Sequence, residues 1–444
     1  MTPWRTAIAA LTLTLLALAA GCAPTPEGAR IASATLVTDV APDGLKVTGV
    51  VLEYDETLDL ASTEVDPDAF SVTVDLSAAD GAFTVDGDRT VLAAHTAATA
   101  DLDAPAAEGR YLILALDPQD AAAPASYTDW DTSITSYYEL VGGYAITQVD
   151  NLVAADGSVA SRARHATTSS AVAHTLIDDY ASGSLATDAG PTLDYRYAVP
   201  STEPGETYPL VVTLHGFNES GSNNFSQLAG TQISVAFADP QRQAQDPAYV
   251  LSPQADPSDP AKGAWWDAPM QEAVVELVEE FITAHPDIDT SRVYLTGLSM
   301  GSYGSWGILT EHADLFAGAV LVCGGGVADE AITAAAVSDL PIWAVHSEDD
   351  AVVSYDADGS DFRIYQALES EGAPVTWTTW SGLLPAAEQE ELARSAVTEA
   401  ARAGSTHLFT TIEADTTPGF SHFSWIPTYG NDVILDWLFD QRAD

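Results

Sequence analysis

Hydrophobic and polar residues alternate with two different periods along this chain, and the change from one to the other divides it. Phe70, Val72, Val74 and Leu76 alternate with Ser71, Thr73 and Asp75, the period of a strand with one face buried. The runs 45–54, 111–116 and 137–149 are also extended in character, and Asp86-Gly87 marks a tight turn. Short strands at this spacing predict an antiparallel sandwich over residues 30–165. The pattern loosens over 166–195, where Thr167-Thr168-Ser169-Ser170 and Asp188-Ala189-Gly190-Pro191 interrupt it, and a second domain is expected over 170–444.

In that second part strands and helices take turns. The runs 209–214, 249–251, 292–296, 319–323, 342–345 and 375–380 read as strands. Met270, Ala273, Val274, Leu277, Val278 and Phe281 share one face of a helix, and 384–403 and 433–439 are further helical segments. Regular βα alternation implies an α/β domain with a mostly parallel sheet covered by helices on both faces. With 444 residues and 46 % apolar content, the chain can build two cores.

The segment Gly297-Leu298-Ser299-Met300-Gly301 follows the strand at 292–296 and precedes a plausible helix. That is the setting of a nucleophile elbow, in which a serine sits on a strained strand-to-helix turn and flanking glycines leave room for the neighbouring backbone. Ser299 is therefore the candidate nucleophile. It needs a base within hydrogen-bond reach and a carboxylate to orient that base, and in this setting the chain order is serine, acid, histidine. Of the histidines beyond Ser299, His312 lies deep in the following helix, and His346 ends a strand before an acid could intervene. His407 adjoins the extended run 408–411 and reads as structural. His422 lies in a loop between Gly419-Phe420-Ser421 and Trp425-Ile426-Pro427, as a base at the carboxyl end of the last strand should. For the acid, Glu348, Asp349 and Asp350 compete at the end of the strand 342–345.

An oxyanion needs backbone donors. The N–H of Met300, directly after the serine, is one, and the N–H of Phe217, in the turn His215-Gly216-Phe217 after the strand 209–214, is the other. His215 then stabilises the loop. Trp265 and Trp266 are candidate pocket walls, with a core role for at least one of them an equal alternative.

Charge narrows the partners. There are 65 acidic residues against 15 basic, with Lys46 and Lys262 the only lysines, and the net charge is −50. Nucleic acid is excluded, because phosphate binding needs clustered cations. The cluster Asp356-Ala357-Asp358-Gly359-Ser360-Asp361 has its glycine at the fourth position, where a calcium loop wants it at the sixth, so it reads as a solvated turn and no metal site is expected. His95 and His165 lack a second ligand at useful spacing. Two cysteines, Cys22 and Cys323, exclude a disulfide framework, and Cys323 falls in an apolar run that predicts burial.

Residues 1–22 read as an export signal, with Arg5, an apolar run over 7–20, and Ala19-Ala20-Gly21 before Cys22. These small residues resemble a bacterial lipobox, with Leu18 four rather than three places before the cysteine. Cleavage there would leave lipid on Cys22 and a tether over 23–29, holding a secreted protein to the outer face of the cytoplasmic membrane; simple secretion is the alternative. No other apolar run is long enough to span a bilayer.

Taken together, Tyr208-Pro-Leu-Val-Val-Thr-Leu-His-Gly216, the segment 292–301, His346 with Asp350 and Val353, and the segment 422–429 resemble the α/β-hydrolase superfamily. More narrowly, they resemble bacterial esterases grouped with polyhydroxybutyrate depolymerases and predicted peptidases. The N-terminal half is similar to the immunoglobulin-like domain that precedes the catalytic domain in some of these esterases, through 51–54 and 109–114. This resemblance implies an α/β-hydrolase fold after the sandwich and hydrolysis of a carboxylic ester through an acyl-enzyme, with no metal or organic cofactor. It puts the acid four residues after a strand-end histidine, which favours Asp350 over Asp349. Ser302 and Ser347 stand where the family often has glycine. A serine peptidase and a non-catalytic binding lipoprotein are the competing readings, and no motif sets the oligomeric state.

Overall fold

Phe70–Ser77 buries every second residue, as its period requires. In the computed structural model, which describes residues 28–100, 105–326 and 329–443, this strand lies in a four-stranded antiparallel sheet with Thr84–Arg89, Tyr144–Gln148 and His165–Thr168. The expected export signal and Cys22 lie outside the described residues. A second, six-stranded sheet is built on Ile31–Ala41, Gly44–Asp59, Glu108–Leu116 and Val91–Ala97. Residues from the two sheets, among them Leu36, Val50, Leu114, Val72 and Ile146, share one apolar cluster. The edge strand Ala171–His174 pairs in parallel with Ile31–Ala41, so the sandwich continues past residue 165 and takes in residues expected to open the second domain. Its four residues carry no readable period; only its distant partner makes it a strand.

The second domain holds a nine-stranded sheet. Its strands are β1 (Ala181–Ala186), β2 (Thr192–Ala198), β3 (Tyr208–Leu214), β4 (Tyr249–Gln254), β5 (Ile288–Leu298), β6 (Gly318–Val322), β7 (Ile342–Ser347), β8 (Val375–Trp380) and β9 (His407–Ile412). Their spatial order is 1-2-4-3-5-6-7-9-8. β1 and β2 pair antiparallel at one edge, and from β4 onward all neighbours are parallel. β3, β6 and β7 are buried along their whole length, which is why their sequences read as continuous apolar runs rather than alternation. Ala268–Ala284 buries the expected stripe on one face of the sheet, and Ala386–Ala403 and Asp432–Phe439 cover the other. Sites in such sheets form beyond the carboxyl ends of the strands, and β3, β5, β7 and β9 each deliver one part of the site there.

Candidate active site

β5 ends at Leu298, and Ser299 turns the chain into the helix Met300–His312 with φ 52° and ψ −119°. Left-handed φ is costly for a residue with a Cβ. The surroundings impose it: the Ser299 N–H donates to the Val322 carbonyl of β6 at 2.9 Å. A Cβ at Gly297 would collide with the Gly301 carbonyl, and one at Gly301 with the Leu214 carbonyl of β3. The two glycines thus let the helix start directly against two strands, which lifts the Ser299 side chain above the sheet.

His422 stands in the loop between β9 and the helix Trp425–Tyr429. Its Nε2 lies 2.9 Å from Ser299 Oγ, and its Nδ1 lies 2.7 Å from Asp350 Oδ2. Asp350 follows β7, and its Oδ1 accepts the backbone N–H groups of Val352 and Val353 at 2.8 and 2.9 Å. Burial opposes its ionisation, yet hydrogen bonds from His346 and His422 outweigh that and hold the carboxyl well below the usual carboxylate range. The acid and base loops are tied together, since the Ala351 N–H donates to Ser421 Oγ at 3.2 Å.

The competing residues lie elsewhere. Asp349 turns away and accepts the Asp415 N–H at 3.0 Å. His407 is buried in β9 with Nε2 3.1 Å from the Val337 carbonyl oxygen, and His312 pairs with Glu272 near the surface. Cys323 is buried, and burial pushes its thiol up.

Phe217 and Met300 begin a 3-10 turn and an α-helix respectively, positions whose N–H groups have no acceptor within their own helix. Gly216 brings the two loops together: a Cβ there would stand 3.7 Å from the Ser299 Cβ. His215 anchors this loop, its Nδ1–H donating to the Gly216 carbonyl at 2.6 Å and its Nε2 accepting the Ala255 N–H at 3.0 Å. Burial pushes its pKa down to about 4, consistent with a neutral ring that donates once and accepts once.

Of the two tryptophans, Trp265 takes the core position. It is buried behind the same loop, and its indole N–H donates to the His215 carbonyl at 3.1 Å. Trp266 is partly exposed and stacks on Phe217, with ring centroids 6.3 Å apart. The cavity beside Ser299 and His422 has a volume of about 360 Å³ and walls from Phe217, Val352, Phe420 and Trp425, with Trp130 and Ser133 contributed by the N-terminal domain. Trp130 and Ser133 lie between the strands Ser126–Asp129 and Ile134–Tyr137, a hairpin of that domain. No local pattern marks them for the site.

Two buried acids escaped sequence reasoning. Glu219, in the first turn after the Gly216 loop, is pushed up to about 7 by burial, which hydrogen bonds from its own N–H and that of Gly216 only partly offset. Asp361 is fully buried, although its cluster reads as a solvated turn; Asp356, paired with Arg363, and Asp358 take the expected exposed positions.

The sequence matches two family models, one described as "Esterase Ig-like N-terminal domain" over residues 33–161 and one as "Putative esterase" over residues 192–417. Poly(3-hydroxyalkanoate) depolymerase C of Paucimonas lemoignei is 32 % identical over 133 residues. That match covers 29 % of this chain and 30 % of the depolymerase, so the chain spans about a third of the length of that curated relative. The crystal structure of a thermostable esterase superposes with a TM-score of 0.72 at 29 % identity, over 93 % of this chain and 100 % of the other.

Proposed function

The chain belongs to this esterase family, with an immunoglobulin-like domain ahead of an α/β-hydrolase domain, and on that premise we propose that it is a serine carboxylic-ester hydrolase acting through an acyl-enzyme. The observation that carries this reading is the unbroken hydrogen-bond line from Ser299 Oγ through His422 to Asp350, at 2.9 and 2.7 Å.

In this reading His422 Nε2 takes the Ser299 proton as Oγ attacks the ester carbonyl carbon. Asp350 stabilises the resulting imidazolium and fixes its tautomer. The N–H groups of Phe217 and Met300 receive the oxyanion, each worth on the order of 3 kcal/mol. The imidazolium then protonates the departing alcohol; a water gives a proton to His422 as its oxygen attacks the acyl carbon, and when the Oγ–acyl bond breaks His422 returns that proton to Ser299 Oγ, releasing the carboxylic acid. The apolar walls of Phe217, Val352 and Phe420 suit an uncharged acyl or alcohol group, and the net charge of −50 disfavours anionic esters. A polyester is one substrate of this chemistry, by analogy with the name of the depolymerase relative.

The test is turnover of short p-nitrophenyl esters, a polyester suspension and a peptide panel, together with labelling by a fluorophosphonate. Ester hydrolysis and labelling that are both lost in Ser299→Ala support the reading. Cleavage of peptides without esters would transfer the chain to the peptidases, and an unlabelled folded protein would make it a binding module.

Export and lipid attachment at Cys22 belong to the same proposal, supported by the run 7–20 and the small residues before the cysteine. Cys22→Ser is expected to release the protein from the membrane fraction; equal retention of variant and wild type would count against the anchor.

A further inference from the structure

His346 is the penultimate residue of β7, four places before the proposed acid, and its side chain is fully buried. Its Nδ1 lies 3.1 Å from Asp361 Oδ2, while its Nε2 lies 2.9 Å from the Val353 carbonyl oxygen and 3.4 Å from Asp350 Oδ2. Both ring nitrogens therefore face acceptors. A neutral imidazole has one N–H and would set the lone pair of its other nitrogen against an oxygen, whereas an imidazolium donates from both. Asp361 is held by donors on both oxygens: its Oδ1 accepts the Trp306 indole N–H at 2.6 Å and its Oδ2 the Gly324 backbone N–H at 2.7 Å. Ser302, at a position where glycine resembles the family pattern better, faces the same carboxylate with its hydroxyl 3.5 Å from Oδ1.

We propose that His346 is a positioning residue, a buried imidazolium held between Asp361 and Asp350 that sets the orientation and charge of Asp350 toward His422. This rests on the reading of Ser299, His422 and Asp350 as the triad. Asp361 and Asp350 bring two negative charges and His346 one positive, so the cluster presents one net negative charge to a neutral His422. When His422 takes the serine proton, the whole cluster becomes neutral. Without the cation, two buried carboxylates would face one imidazole, and Asp350 would lose the partner on its far side.

Burial works against a charge on His346, but hydrogen bonds from it to Asp350 and Asp361, and the charges of both, raise its pKa to about 9. The other titratable groups around this cluster are Tyr355, whose ring meets His346 edge-on with centroids 5.7 Å apart, and Tyr303 and Cys323, each influenced by the two aspartates. Burial raises all three, so they stay neutral where the enzyme is expected to work.

Untagged wild-type protein labelled with 15N-histidine tests the charge without any substitution. At pH 8 one slowly exchanging histidine among the nine should show both ring nitrogens protonated; a spectrum with no such imidazolium overturns the proposal. The pH profile of kcat/KM on a p-nitrophenyl ester tests the positioning. His346→Gln removes a cation near His422 and should move the acid limb up by about one pH unit or more. Asp361→Asn removes an anion and should move it down or leave it in place. A lower plateau with the limb unmoved in His346→Gln, or an upward shift in Asp361→Asn, overturns the proposal and leaves His346 a packing residue. Failure of the triad reading is seen separately, as hydrolysis that survives Ser299→Ala.

Discussion

Gly301 lies so close to the carbonyl of Leu214, one strand away, that a Cβ at this position would overlap it. The contact holds the first turn of the helix Met300–His312 against β3, the strand that leads into the Phe217 loop. Both candidate oxyanion donors therefore depend on one missing side chain. Gly301→Ala is expected to cost about 1–3 kcal/mol of stability through overpacking. By shifting the Met300 N–H it should also lower kcat by about 100-fold, the effect of a lost oxyanion donor. Thermal melts and steady-state kinetics on the same protein check both, and a normal kcat in a destabilised variant would detach the glycine from the oxyanion site.

His422 and His407 are both buried but serve different ends. His422→Ala should reduce kcat by on the order of 10⁴-fold or more while leaving the fold intact. His407→Ala should leave kcat within a few-fold and lower the unfolding free energy by about 1–3 kcal/mol, because the Val337 carbonyl loses its partner. Kinetics and urea titration of the two variants side by side distinguish these outcomes; equal kinetic losses would sink the assignment of the base.

The acid is tested by adjacent positions. Asp350→Asn replaces the oxygen that accepts from His422 and removes the charge, so a loss of about 10⁴-fold in kcat is expected. Asp349→Asn, whose carboxylate only accepts the Asp415 N–H, should stay within a few-fold of wild type. Reversed magnitudes would move the role to Asp349.

Glu219 links stability to pH. Its folded pKa, about 7, lies above the ordinary 4.5, so the folded state holds a proton that the unfolded state has released between those values. The contribution of this group is fully present below pH 4.5 and is lost as pH rises through 7. Between pH 4.5 and 8 the wild type should lose on the order of 3 kcal/mol relative to Glu219→Gln, which cannot ionise. Urea unfolding of both proteins at pH 5 and pH 8 isolates this difference from the self-repulsion of the acidic surface, which the two share. Parallel pH curves would mean that water reaches the carboxylate.

Trp130 is the large apolar side chain that, with Ser133, the N-terminal domain contributes to the cavity. Trp130→Ala should lower kcat/KM for the larger esters by about 10-fold, the effect of roughly 1.4 kcal/mol of lost apolar contact in the transition state. Fluorophosphonate labelling of Ser299 should persist. An unchanged profile across ester sizes would place the tryptophan outside the substrate path.

Where the physics is local, the sequence was enough. Gly297, Ser299 and Gly301 announce the elbow because the collisions they avoid are built into any strand-to-helix turn packed on a neighbouring strand. The unbroken apolar runs of β3 and β7 announce a sheet covered on both faces, and the alternation in Phe70–Ser77 announces a sandwich strand. The loop of His422 and its place in the chain order made it the candidate base, and the family spacing put Asp350 ahead of Asp349; the fold brings both within hydrogen-bond reach of one line to Ser299.

Tertiary structure decided the rest, since each remaining feature is a contact between distant segments. The strand Ala171–His174 exists because Ile31–Ala41 pairs with it; Trp265 takes a core position because its indole finds the His215 carbonyl; Trp130 enters the cavity beside Ser299 because a hairpin of the first domain meets the second. His346 and Asp361 show the limit most clearly. In sequence one is a strand-end histidine and the other an acid in a polar turn, and only the fold brings them into contact, buried among Trp306, Gly324 and Asp350 behind Ser299. Residue types and spacing determine what chemistry the chain can offer. Desolvation and hydrogen-bond partners, which exist only once the chain has folded, decide the charge each group carries and the direction in which it acts.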